Sequence, residues 1–417
     1  MATGLYIDPT RLSKKPLGIK AMKKHHVVTF NPSTANPGET LYIRIPNLTK
    51  DTFYVPGSIY LSADVVIDGT TAHDNHVVDN LGRNIISQMT VKWGSEIIST
   101  LNHYDLYMTY KDLWLHRYQR ENMVFEGIQD TNINKLRSGL TVSGANTNDN
   151  MLNTVFKNKY KIPLDFEILT DHAPLYKAVI NEDIILEITL AQNNMVLKSQ
   201  KPKDWSYTLK NICLEYDTVT SSSIASTISQ MYSNGYAFMY DKVDHFKTVK
   251  ITANETLINE NINFPRRSIK GILLLFVKSH EIGTRESENF HNPEIKDVDI
   301  TIEGISSQLY SNGLRMLDQW YEAKKFFMSN DIKNNEDCHM DIEKYYGAGH
   351  GYGLWIDFRT TDDNTLHGSG TKLQNTKDGI QLSFKKKSGE GPYQMHIFIV
   401  SDAQLNVSNY QLNSVMY

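Results

Sequence analysis

Two alternating runs either side of a polar joint constrain this chain more than any other feature. In Ile184–Leu190, the residues Leu186, Ile188 and Leu190 alternate with Glu187 and Thr189. Further on, Ile212, Leu214 and Tyr216 alternate with Cys213, Glu215 and Asp217. A period of two belongs to a strand with one face in a core and the other towards water. Ser199–Ser206, between the runs, is a polar, Pro-containing joint rich in Lys, Asp and Ser and is poor strand material. The joint lies near the middle of 417 residues, a length that exceeds one ordinary core. The expected division is therefore a basic arm at 1–26, one β-domain at 27–203 and a second at 204–417.

The remaining patterns fit that division. Strands are expected at Thr40–Ile45, Ser58–Ile67, and as a hairpin of Ile85–Trp93 and Glu96–Thr100 around Gly94-Ser95. Others follow at Leu209–Val219, Thr248–Thr252, Ile269–Val277, Val298–Glu303, Gly353–Phe358, Gly379–Lys385 and Met395–Ser401. Ile272–Val277 is apolar on both faces, as in a strand covered on both sides. The period changes to that of a helix at Tyr104–Asn122, Ser221–Ser233 and Met316–Met328. Ser138–Asn150, with two glycines and a cluster of Asn and Asp, reads as an exposed loop. Many short strands interrupted in each half by one sizeable helix point to an all-β architecture of tandem antiparallel sandwiches.

Composition narrows the function. With 40% hydrophobic and 22% charged residues the chain is a folded protein, and 23 tyrosines favour strands and large interfaces. A net charge of -4 argues against a globally basic nucleic-acid coat. Two cysteines make neither a disulfide framework nor a zinc quartet, and no signal peptide or membrane-spanning run is read, so assembly in a reducing compartment is expected. Gly347–Gly353 fails as a phosphate loop, since a strand rather than a helix follows it and no Gly-Lys-Ser/Thr occurs. His367-Gly368-Ser369-Gly370 lacks the spacing of a nucleophile elbow and reads as a tight turn. His25-His26 and Cys338-His339 are adjacent pairs that cannot close a metal site alone. No catalytic residue, metal ligand or cofactor site is read, so an enzyme is not expected. The first 26 residues are the exception to the acidic balance, with Arg11, Lys14, Lys15, Lys20, Lys23 and Lys24 against Asp8. They read as a flexible tail, or as an arm reaching neighbouring subunits or nucleic-acid phosphates.

At the level of whole segments the chain resembles the double jelly-roll viral major capsid proteins, and most those of Polinton/Maverick elements and adintovirus-like or polinton-like viruses. The resemblance is carried by Val78–Leu115, Tyr160–Tyr176, Ile262–Val277, Tyr352–Phe384 and the closing QLNSVMY, and it covers nearly the whole chain. It implies two eight-stranded jelly rolls standing side by side and three chains joined as a pseudo-hexameric, hexon-like capsomer of an icosahedral shell. It implies a place in the virion capsid, assembled inside the host cell and not secreted. The implied partners are two further copies, neighbouring capsomers, penton and minor capsid proteins, and packaged DNA through the arm. Because a jelly-roll core needs neither loop helix, Tyr110, Trp114, Trp320, Phe326 and Phe327 are the expected trimer contacts. The alternatives are another virion component such as a vertex protein, or a carbohydrate-binding or cupin-like protein on the same sandwich. A cupin needs a histidine-rich metal set on adjacent strands, and His350, His367 and His396 are scattered in the sequence.

Overall fold

The computed structural model describes residues 22–69, 76–128, 159–165, 180, 182–198, 205–278, 289–307, 310–328, 338–347, 351–363, 366–373 and 379–417. The loop Ser138–Asn150, joint residues 199–204, His350, and Arg11, Lys14, Lys15 and Lys20 of the arm lie outside the described residues.

Sixteen strands build the frame. The first eight are β1 (Met22–Thr29), β2 (Thr40–Arg44), β3 (Tyr60–Gly69), β4 (Ile86–Trp93), β5 (Glu96–Asn102), β6 (Lys159–Pro163), β7 (Ile184–Leu190) and β8 (Trp205–Thr220). The second eight are β9 (Tyr236–Ile251), β10 (Leu257–Ile262), β11 (Ile269–Lys278), β12 (Asp297–Ile302), β13 (Ile305–Ser306), β14 (Gly353–Asp357), β15 (Ile380–Lys385) and β16 (Tyr393–Ser408). The first set forms antiparallel sheets β1-β8-β3-β6 and β2-β7-β4-β5. The second set forms β9-β16-β11-β14 and β10-β15-β12-β13, so strand n of one half matches strand n+8 of the other. Each half is a jelly roll of two facing four-stranded sheets. Thr52–Tyr54 adds to β8, Leu314–Arg315 to β12 and Gln411–Met416 to β16.

Side-chain periodicity explains the strands. β7 buries every second residue from Ile184 to Leu190, as its alternation requires. β11 is buried at nine consecutive positions because it lies between β16 and β14 in one sheet and is covered on both faces. Gly271 within it has no substitute: a Cβ there would stand 2.3 Å from the Trp355 ring. β4 and β5 close the expected hairpin, with Gly94 at φ 60°.

Four expectations need correction. The second domain does not open at residue 204: β8 pairs with β1, β3 and Thr52–Tyr54, all in the first roll. β7 and β8 belong to opposite sheets of one sandwich, so the polar joint crosses within the first roll, and pairing changes partners only after Thr220. Periodicity reports a strand but not its sheet. Second, the arm does not extend to residue 26, since β1 begins at Met22 and runs along β8. Third, Tyr104–Asn122 is not one helix: α1 (Tyr104–Asp112) ends, and Arg117–Glu121 makes a separate turn. Between them His116 turns extended (φ −57°, ψ 136°) and forms a β-bridge with Cys338 of the second roll. The other long helices fall close to where they are expected, α2 at Ser222–Asn234 linking the rolls and α3 at Met316–Phe327.

The fourth concerns the interface candidates. Tyr110 and Trp114 are 0% and 1% exposed within a single chain. They are core residues, closed to a second copy.

Candidate assembly surfaces

α1 follows β5 in the first roll, and α3 follows β13 at the matching place in the second. The two helices meet. Tyr110 packs edge-to-face on Phe290 and Phe327 at centroid distances of 5.6 and 5.1 Å, and Tyr107 lies 5.7 Å from Phe398. Trp114 lies against Phe327 and Tyr345. Gly353 is small because Tyr110 lies on it: a Cβ would meet the ring at 2.5 Å, and the Tyr110 hydroxyl donates to the Gly353 carbonyl at 3.3 Å. Aromatic pairs of this kind contribute about 0.5–1.5 kcal/mol each beyond the area they bury.

Polar contacts extend this seam between the rolls. The hydroxyls of Tyr240 and Tyr417 donate to the carbonyls of Ile98 (2.9 Å) and Ile97 (2.7 Å), and the Leu412 N–H donates to Glu182 (3.2 Å). Arg120 donates to His339 Nε2 at 2.7 Å, and the His339 N–H donates to the Leu115 carbonyl at 3.0 Å. Burial, then Arg120 and two further cations, push His339 down to about 3, which keeps its ring neutral and able to accept. Cys338 and Cys213 are both buried, free thiols.

α1 is anchored from behind. Buried Arg83 grips Asp112 at the end of the helix with two bonds, 2.8 and 3.2 Å, and reaches Asp165 at 2.5 Å. A paired guanidinium of this kind fixes orientation, and removing one partner strands a buried charge.

α3 differs in its outer face. Its inner side places Gln319 between the Tyr352 hydroxyl, from which it accepts at 2.8 Å, and the Ile295 carbonyl, to which it donates. Phe326 stacks on Trp355 at 4.1 Å and Phe327 joins the seam, so both expected contacts are half-buried and engaged within the chain. Trp320 is half-buried with Lys324 over its ring at 4.9 Å. The outward residues are Met316, Leu317 and Tyr321, exposed by 40%, 85% and 52%. Singly exposed apolar residues are ordinary; three on one short helix make a patch.

At the opposite edge, β1 puts Lys23 against Asp217 at 2.7 Å, and His25 bonds the same carboxylate at 2.8 Å. Burial raises the Asp217 carboxyl, but the bonds and charges of Lys23 and His25 outweigh it and leave it below its ordinary range. Lys23 is thus paired to the sheet although, like Lys24, it is exposed.

Two clusters of metal-ligating type are brought together that spacing conceals: His103, His245 and His396, and Asp241, His367 and Asp402. In the second, the Lys270 ammonium stands 2.5 Å from Asp241 and 3.3 Å from Asp402. Ser268 and the Gly368 N–H also donate to Asp402, and His367 bonds it at 3.0 Å. The protein's own cation fills that centre. Among the described residues no helix is long and apolar enough to cross a membrane.

No protein-family model and no curated protein sequence matches the chain. Solved structures do match. A quasi-atomic model of the PBCV-1 virus capsid aligns with a TM-score of 0.64 at 10% identity, covering 97% of this chain and 98% of that one. Faustovirus major capsid protein gives 0.61 at 8% identity over 95% and 92%, and the Sputnik virophage cryo-EM structure gives 0.58 at 10% over 97% and 90%. At such identities the likeness is one of fold, and it extends over both halves: the chain folds as the double jelly-roll capsid proteins do.

Proposed function

We propose that this chain is a major capsid protein, three copies of which join so that six jelly rolls ring a threefold axis and tile an icosahedral shell. The observation that carries this reading is the pair of rolls with one strand order, sealed along the α1–α3 seam, and matched end to end by capsid proteins. Fusing two similar rolls in one chain supplies a six-sided outline from a threefold assembly. Its work is done by interfaces rather than by catalysis. The contact between copies is assigned to the outer face of α3, at Leu317 and Tyr321, with Trp320 at its margin. The segment before Met22 is assigned to the particle interior, where its basic residues meet packaged DNA, and neighbouring capsomers, penton and minor capsid proteins complete the partners. The location is the virion, with assembly in the host cell.

Light scattering and electron microscopy of the purified full-length chain test this directly. Trimers with a hexagonal outline, or shells, are expected; a persistent monomer at high concentration overturns it. Deleting residues 1–21, which spares β1, is expected to leave trimers and impair particle yield.

A further inference from the structure

We propose that His103, His245 and His396 hold one late first-row divalent cation, with Zn2+ the fitting ion, and that this ion fastens the first jelly roll to the second.

The geometry is that of a ligand set. One ring nitrogen from each histidine lies within 4.8 Å of the other two. His245 Nε2 and His396 Nδ1 are 3.3 Å apart. Two imidazole nitrogens bound at about 2.0–2.1 Å in a zinc tetrahedron lie about 3.3–3.4 Å from each other, so this pair already stands at the ligand–ligand distance. The third ring is equally close, with centroid separations of 4.5 Å from His103 to His245 and 4.6 Å from His103 to His396. Thr248 Oγ1 lies 3.1 Å from His396 Nδ1 and 3.3 Å from His245 Nε2.

The chemistry selects the ion. A group of three imidazoles suits Zn2+, Cu2+, Ni2+ and Co2+, while Mg2+ and Ca2+ require oxygen ligands. The contrast with the Asp241–His367–Asp402 group is direct, because there Lys270 already supplies the positive charge.

The placement says what the ion does. His245 lies opposite Phe398 and His396 opposite Thr248, so the two histidines are diagonal neighbours across β9 and β16 of the second roll, beside the bulge between His245 and Lys247. His103 comes from the first roll, at the junction of β5 and α1, in a left-handed conformation (φ 53°, ψ 42°). Such φ values are uncommon outside glycine, and histidine is one of the residues that reach them more often. Cupin-type sites draw their ligands from one barrel; here both rolls contribute. An ion bound only when the rolls are docked stabilises the docked state by mass action.

The test uses the full-length chain, stripped with a chelator and titrated with Zn2+ in a calorimeter, and with Co2+ followed by visible absorption. One ion per chain, a tetrahedral cobalt spectrum and a melting temperature higher in zinc than in chelator are expected. His103→Asn, in which asparagine tolerates the left-handed backbone, is expected to weaken zinc binding by at least about tenfold and abolish the melting shift. His396→Gln should do the same, and His103→Asn alone decides the matter if that variant does not fold. His367→Asn and His25→Asn should bind as the unaltered chain does. Failure to bind zinc, or binding that survives His103→Asn, overturns the proposal.

Discussion

α1 and α3 hold matching places in the two jelly rolls, yet their surroundings differ. Every residue of α1 except Lys111 is buried, whereas α3 fully buries only Gln319 and Ala323 and keeps an apolar outer face. The first helix is consumed in joining the halves. The second does that with one side and has the other to spare. A repeated frame therefore does not imply repeated duties: equivalent loops diverge once one is enclosed.

That contrast can be broken or sharpened in four ways. Trp114→Ala removes a buried indole from the seam and is expected to cost about 3–5 kcal/mol, read from urea unfolding. A cost under about 0.5 kcal/mol, the size ordinary for a surface change, would mean the seam is not core. Asp112→Ala leaves the Arg83 guanidinium with one fewer buried partner and is expected to cost about 3 kcal/mol, at the low end for a broken buried pair because Asp165 remains.

The third test is pH. Unfolded, His339 takes a proton near 6.5; folded, only near 3. Between those values the unfolded chain holds the extra proton, so stability falls as pH drops from 6.5 towards 3 and is fully present above 6.5. His339→Asn should flatten that part of the pH dependence of the urea midpoint. The smallest effect on stability is expected at Leu317→Asp, within about 0.5 kcal/mol, because the residue is exposed. On the present assignment the same change dissociates trimers, so intact trimers by light scattering would move the contact away from α3.

Much of the frame was legible in the residues. Ile184–Leu190 announces its strand because one face is wet, and Ile269–Val277 announces burial because neither is. The strand Met22–Thr29 is hidden in the sequence, since Lys23, His25 and His26 read as a tail until Asp217 and Thr218 are seen to receive them. The domain boundary was misplaced because alternation is blind to which sheet a strand joins. Tyr110 and Trp114 looked outward for a similar reason: helical spacing marks an apolar face but not its occupant, and here the occupant is the same chain's Phe327 and Phe290. The three histidines left no signal in spacing, being far apart in sequence: the pairing of β9 with β16 brings two together, and the docking of the rolls adds the third.

The sealed seam has a mechanical consequence. A hinge needs a line of weak contacts to open along, and between these rolls that line is filled by interlocked aromatic rings, a β-bridge and several cross-donated hydrogen bonds. If the chain tiles a curved shell as proposed, bending is taken up at the joints between chains, and the two rolls of each chain move as one stiff body.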